Sequence, residues 1–140
     1  MQVHIKKLHP DAIIPGFVHE GDAGMDLYVY EQKTLAPQER ASIGIGIALA
    51  IPKGYVGLIW DKSGLSHMHG LKTCGGVIDA GYRGEVCVGI MNFGVESYVF
   101  EKGYKIAQLL IQKIEQPSLV EVAELDDTTR GTDGFGSTGK

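Results

Sequence analysis

Two cysteines, Cys74 and Cys87, are all that the chain contains, and they stand in neither a CxxC nor any other metal spacing. No disulfide framework and no thiolate zinc site follows from them, so the pair reads as reduced, small and mostly buried. Long apolar runs are also missing. Nothing approaches the roughly 18 residues of a membrane span, and the first ten residues carry His4, Lys6, Lys7 and His9 where a signal peptide needs an apolar core. The expected setting is soluble, cytoplasmic or otherwise intracellular, with no membrane partner. Charge of one sign is scarce as well. A formal net charge of −4 gives no long-range attraction for a polyanion, so nucleic acid is not an expected partner and any phosphate site must be built from a few local groups.

Glycine is abundant instead: 20 glycines and five prolines cut the 140 residues into short pieces, most of which alternate with period two. A chain of this length fits one domain with a sizeable core. In residues 41–51, Ile43, Ile45, Ile47, Leu49 and Ile51 fall on one face, and Ser42, Gly44, Gly46, Ala48 and Ala50 on the other. The first face is core; the second is small enough to be packed closely. Further strands are expected at 2–7, 26–30, 54–60, 84–92, 97–100, 105–113 and 119–125, with one short helix over 63–69. Residues 106–114 also admit a helical reading, which their β-branched content and glycine flank disfavour. Eight short strands suggest an all-β jelly roll or barrel. From residue 126 onward glycines and polar residues dominate, so residues 1–125 form the expected domain and 126–140 a mobile tail that a ligand would order.

Several local groupings carry chemistry, and each has a plainer reading beside it. Gly134 to Lys140 matches part of a phosphate-cradling P-loop, but the Ser or Thr and the helix that must follow the lysine are missing. The same tail can act without a helix. Backbone N–H groups around Gly136, Ser137 and Thr138 can surround a phosphate, Arg130 can donate a fork, and Phe135 can stack on a base; otherwise it is a polar tail. Asp79, in a glycine-rich run before Tyr82, Arg83 and Gly84, can orient a water molecule or cap a turn. Lys62, Ser63 and Gly64 open the short helix as an anion site, unless Asp61 or Ser63 serves only as its N-cap. His67, His69 and Cys74 match no standard zinc spacing. Gln108, polar in an apolar strand, must find hydrogen bonds from backbone or ligand.

Taken in order, five of these pieces resemble the motif series of the homotrimeric dUTPase family. They are Ala23-Gly24-Met25-Asp26-Leu27, Lys62-Ser63-Gly64-Leu65, Gly76-Val77-Ile78-Asp79 through Tyr82-Arg83-Gly84, Gly103 through Gln108-Leu109, and Arg130-Gly131 through Gly134-Phe135-Gly136-Ser137-Thr138-Gly139. The resemblance implies a distorted jelly-roll or β-clip, dUTPase-like barrel with a flexible C-terminal tail. The subunits form a trimer, and each active site is assembled from neighbouring subunits and closed by the tail of one of them. It also implies hydrolysis of dUTP to dUMP and pyrophosphate, which keeps uracil out of DNA and supplies dUMP for thymidylate synthesis.

By the same resemblance, Asp79 orients the attacking water, Mg²⁺ on the triphosphate gathers its charge, and Asp26 acts on that magnesium through water. Backbone groups of Gly76, Val77, Ile78 and Cys87 read the uracil edge, and Tyr82 lies against the deoxyribose. Lys62, Ser63, Gly64 and Gln108 hold the α- and β-phosphates and Arg130 the γ-phosphate. Phe135 covers the base, while Gly136, Ser137 and Thr138 complete the phosphate cover. Two positions depart from the family pattern: Lys62 replaces an arginine, losing its bidentate fork, and Tyr104-Lys105 stands where many members have Asp-Arg. A dCTP deaminase of similar fold is the nearest alternative, but it needs a catalytic glutamate where this chain has Gly89. A non-catalytic nucleotide-binding trimer is the other.

Overall fold

A computed structural model describes residues 1–134. The described chain forms ten strands and one helix: β1 (His4–Lys7), β2 (Met25–Tyr28), β3 (Lys33–Leu35), β4 (Arg40–Ala50), β5 (Tyr55–Trp60), α1 (Ser63–His69), β6 (Leu71–Cys74), β7 (Val77–Ile78), β8 (Glu85–Asn92), β9 (Tyr98–Phe100) and β10 (Lys105–Lys113). They build two four-stranded antiparallel sheets, ordered β1-β4-β8-β6 and β2-β10-β5-β7, and a β3-β9 ribbon. The all-β class expected from the alternation is what forms, although the sheets do not close into a barrel. No described helix is long and apolar enough to cross a membrane.

Period-two patterning explains where the core lies. Ile43, Ile45, Ile47 and Leu49 of β4 and Val86, Val88 and Ile90 of β8 are buried, and they join Leu27, Ile59, Ile106 and Leu109 of the other sheet in one cluster. Each fully buried side chain of this kind contributes roughly 1.5–3 kcal/mol of transfer free energy. The glycine face of β4 is covered within the same chain. β4 pairs with β8 from Arg40↔Met91 to Gly44↔Cys87 and again at Ala48↔Glu85, with a bulge between. Gly46 lies in that bulge at φ 72°, where an added Cβ would stand 2.8 Å from Ala12 Cβ. Its N–H donates to Glu85 Oε1 at 2.8 Å. The bulge buries Gly46 and Ala48, which strict alternation assigns to the opposite face.

Two expectations fail. Residues 119–125 form no strand: after β10 the Ile114 N–H reaches Gly54 O at 3.0 Å, and the chain then continues with no partner strand among the described residues. Leu119, Val120, Val122 and Leu125 are exposed. Apolar alternation marks side chains that gain from cover, but a strand also requires a hydrogen-bonding edge. The cysteines, expected to be mostly buried, are both free and exposed. Cys87 takes an outward position of β8 between Val86 and Val88, and Cys74 lies at the end of edge strand β6. The expected boundary at residue 125 falls within a stretch beyond Lys113 that holds no described helix or strand.

Candidate active site

Strand register gathers the first group of residues. Gln108 of β10 stands opposite Asp26 on one side and Trp60 on the other, so the Asp61-Lys62 segment leaving β5 begins beside both. Lys62 Nζ pairs with Asp26 Oδ1, and Lys105 Nζ lies 2.7 Å from Oδ2. Asp26 is 3% exposed. Burial pushes its carboxyl up, but the hydrogen bonds and charges of Lys105 and Lys62 win and hold it below the usual carboxylate range. Lys105 is raised in return, chiefly by its bond to Asp26. These side chains, with Asp22, Gly24 and Gln108, line an open cavity of about 340 Å³.

A second group surrounds Asp61. Its Oδ1 accepts from Thr73 N and Thr73 Oγ1, both at 2.7 Å, and its Oδ2 pairs with Lys72. Burial again opposes ionisation, and Lys72 and Thr73 outweigh it, so this carboxyl too lies below its ordinary range. The backbone carbonyl of Asp61 accepts from Gln108 Nε2 at 2.8 Å. Neither Asp61 nor Ser63 caps α1: Lys62 is the N-cap residue and makes no side-chain cap bond. The reason is geometric, because the Asp61 carboxylate is turned to β6. Ser63 and Gly64 remain exposed at the helix start.

Beyond β6 the chain reverses through Gly75 (φ 71°) and Gly76 (φ 107°). Gly76 O accepts from Ile59 N at 2.8 Å, and an added Cβ at Gly76 would meet Ile59 O at 2.8 Å. β7 then pairs Val77 with Leu58 and Ile78 with Gly57. A cavity of about 260 Å³ borders this hairpin, lined by Trp60, Thr73, Gly75, Gly76 and Val77 among others. Asp79 follows, exposed, and among the described residues its carboxylate accepts no hydrogen bond. Its backbone carbonyl, not its side chain, accepts the Tyr82 N–H at 3.0 Å, which corrects the reading of Asp79 as a side-chain turn cap. Tyr82 Oη donates to Glu85 O at 2.9 Å, and Arg83 donates to Ala80 O and Tyr82 O, each at 2.7 Å.

Asp26, Lys62 and Gln108 thus meet around one cavity, and Gly76 and Val77 line another; Asp61 bonds to Gln108 of the first and to Thr73 of the second. Ile78, Asp79 and Tyr82 follow on the hairpin, and Cys87 is exposed on β8 opposite Gly44. Arg130 is not brought to either cavity; its Nε donates to Asp133 O at 2.9 Å. Phe135, Gly136, Ser137 and Thr138 lie outside the described residues. Sequence reasoning missed Lys105, Lys72 and Thr73 as site residues. For Lys105 a signal exists: its register on β10 places it three residues before Gln108, on the strand that faces Asp26. No group of three or more His, Cys, Asp or Glu side chains that could hold a metal ion occurs among the described residues.

The geometry has close parallels among known proteins. The dUTPase family model matches residues 11–139. A deoxyuridine 5'-triphosphate nucleotidohydrolase of Thermobifida fusca is 47% identical, over 99% of this chain and 79% of its own. The enzyme of the same name from Clostridium kluyveri is 45% identical over 99% of both chains. Among solved structures, a variant of Staphylococcus bacteriophage 80alpha dUTPase with dUpNHpp superposes with a TM-score of 0.94, at 35% identity and 99% coverage of each chain. A dUTPase variant of phage phi11, in which a structural Mg(II) ion was visualised, gives 0.85 at 31% identity, covering 91% of this chain and all of that one. A match that spans nearly the whole chain, with this level of identity, places the protein in the dUTPase family.

Proposed function

We propose that the chain hydrolyses dUTP to dUMP and pyrophosphate in a site assembled from neighbouring subunits, to which the Asp26 cavity and the 75–79 hairpin both contribute. The observation that carries this reading is the meeting of Lys62, Lys105 and Gln108 around one cavity, with a narrow backbone hairpin lining another. Lysines and an amide suit phosphate oxygens, and a hairpin that turns through two positive-φ glycines suits the edge of one flat pyrimidine. Backbone groups of Gly76, Val77, Ile78 and Cys87 read uracil, and Tyr82 lies against the deoxyribose. Lys62, Ser63, Gly64 and Gln108 hold the α- and β-phosphates and Arg130 the γ-phosphate. Residues 126–140 close the site as a lid, with Phe135 over the base and Gly136, Ser137 and Thr138 on the phosphates. The lid comes from a neighbouring subunit of a homotrimer.

Asp79 is exposed, so it is open to a water molecule. It orients that water for attack on the α-phosphorus. The new P–O bond forms as the bond to the bridging oxygen breaks; pyrophosphate leaves and dUMP keeps the water oxygen. Mg²⁺ is the cofactor, and carried on the triphosphate it supplies charge neutralisation. The donor set fits that arrangement. With each Asp26 oxygen already paired to a lysine, Asp26 suits a contact through water and not direct coordination.

Support against deamination comes from Gly89. A glutamate there has no room, since even a Cβ would meet Cys74 O at 2.6 Å. The test is Asp79→Asn. Turnover should fall roughly 10²- to 10⁴-fold while binding of a non-hydrolysable dUTP analogue is retained. Near-normal turnover removes Asp79 from the role, and ammonia release from dCTP by the wild type would overturn the reaction itself.

A further inference from the structure

We propose that Glu85 is a positioning residue for sugar discrimination: it ties the first residue of β8 to the β4 bulge and thereby holds the Tyr82 ring where a 2′-hydroxyl would have to fit. This rests on the site reading above, which lays Tyr82 against the deoxyribose. Tyr82 is 45% exposed, so the core does not fix its ring. Two bonds do: its N–H reaches Asp79 O at 3.0 Å, and its Oη donates to Glu85 O at 2.9 Å. Gly84 leaves room for that phenol, since a Cβ there would collide with Oη. The ring is therefore only as well placed as the Glu85 carbonyl. All of these groups belong to one chain, so the device does not depend on which subunit supplies the phosphate contacts.

That carbonyl stands where β8 is least supported. On one side, β6 pairs with β8 from Leu71↔Asn92 to Cys74↔Gly89 and stops four residues short of Glu85. On the other, the β4 ladder breaks between Gly44 and Ala48, and Glu85 pairs with Ala48 beyond the break. A bulge leaves backbone groups without ladder partners, and a buried N–H with no partner is costly. The Glu85 carboxylate closes this gap: Oε1 accepts the N–H of buried Gly46 at 2.8 Å. Gly44 makes the space for it, since a Cβ there would stand 2.5 Å from Oε1. A bond from backbone N–H to a carboxylate is stronger than one to a neutral acceptor. The Glu85 side chain thus takes from β4 the support that its carbonyl passes to Tyr82.

The experiment measures kcat/KM for dUTP and for UTP, each with Mg²⁺, in Glu85→Ala, Glu85→Gln, Tyr82→Phe and Tyr82→Ala variants of the full chain, well below each variant's melting temperature. In Glu85→Ala the dUTP-to-UTP ratio is expected to fall roughly 10-fold, chiefly because turnover of UTP rises. A merely structural role lowers both substrates alike and leaves the ratio where it was. Glu85→Gln keeps an oxygen acceptor for Gly46 and should hold the ratio within about threefold of wild type. Tyr82→Phe keeps the ring and drops its bond to Glu85 O. It should lower the ratio about 3- to 10-fold, which keeps the test decisive even where Glu85→Ala does not fold. An unchanged ratio in Glu85→Ala or in Tyr82→Phe overturns the proposal, as does a loss in Glu85→Gln equal to that in Glu85→Ala. Tyr82→Ala separates the proposal from the reading beneath it. If Tyr82→Ala loses the ratio while Glu85→Ala keeps it, Tyr82 still faces the sugar and Glu85 alone is wrong; if Tyr82→Ala keeps the ratio, the placement of Tyr82 falls and that of Glu85 with it.

Discussion

Asp26 is 3% exposed between two lysine ammonium groups, whereas Asp79 is exposed on a loop and accepts no hydrogen bond among the described residues. Both are carboxylates two residues from a glycine, Asp26 inside β2 and Asp79 just after β7, and their surroundings separate them. The Asp26 cavity is braced by two strands, β2 and β10, and the segment after β5, so its charges are set before any ligand arrives. The loop over 79–83 is held by backbone bonds and the Arg83 and Tyr82 contacts alone. One carboxylate is therefore part of the fold, and the other is exposed and accepts no hydrogen bond among the described residues.

If that contrast holds, the largest effect on stability belongs to Asp26→Ala. Removing one partner of a fully buried ion pair costs about 3–5 kcal/mol. Here Lys62 and Lys105 are 30% and 43% exposed and rehydrate in part, so urea unfolding should show a loss of about 2 kcal/mol. A loss no larger than that of a surface substitution would erase the distinction.

The next effect is in acid. Asp26 and Asp61 have folded-state pKa values below their unfolded ones, so their stabilisation is complete above the ordinary carboxylate range and is lost as pH falls through the lowered values. Stability of the wild type should decline below about pH 4–5, and the Asp26→Asn slope should be shallower. Equal slopes would mean that the lysine pairs carry no linkage. The smallest effects lie on the loop. Asp79→Asn should leave stability within about 0.5 kcal/mol, and Tyr82→Phe, which loses one exposed bond to Glu85 O, should cost about 0.5 kcal/mol.

The legible parts of the fold were those where a period ran long enough to count. β10 and α1 occupy the expected 105–113 and 63–69, and β4 departs from 41–51 by one residue at each end. β3, β6 and β7 span three, four and two residues, too short for alternation to register, and their pairing partners supply what their sequences do not. Residues 119–125 mislead for the converse reason, since alternation there reports apolar side chains and says nothing of a neighbouring edge. In the site, the glycine-rich run around Asp79 and the lone polar Gln108 were readable from the residues, while the reversal at Gly75 and Gly76 was not. Nor were the bonds of Asp61. Its partners lie 11, 12 and 47 residues away, and only the register of β10 on β5 and the course of β6 bring them together.

The bulge in β4 has a consequence for how the strand finds its place. Ile43, Ile45 and Ile47 are identical side chains at spacing two, so sliding the strand by two residues against β8 would lay isoleucine where isoleucine had been. By side chains alone the strand is a ruler without numerals. Gly46 supplies a mark: at φ 72°, with Ala12 against it and its N–H on Glu85, that position accepts a residue lacking Cβ, and the two-residue slip that brought Ala48 there would set its Cβ against Ala12. The repeated isoleucines provide the cohesion, and one glycine provides the address.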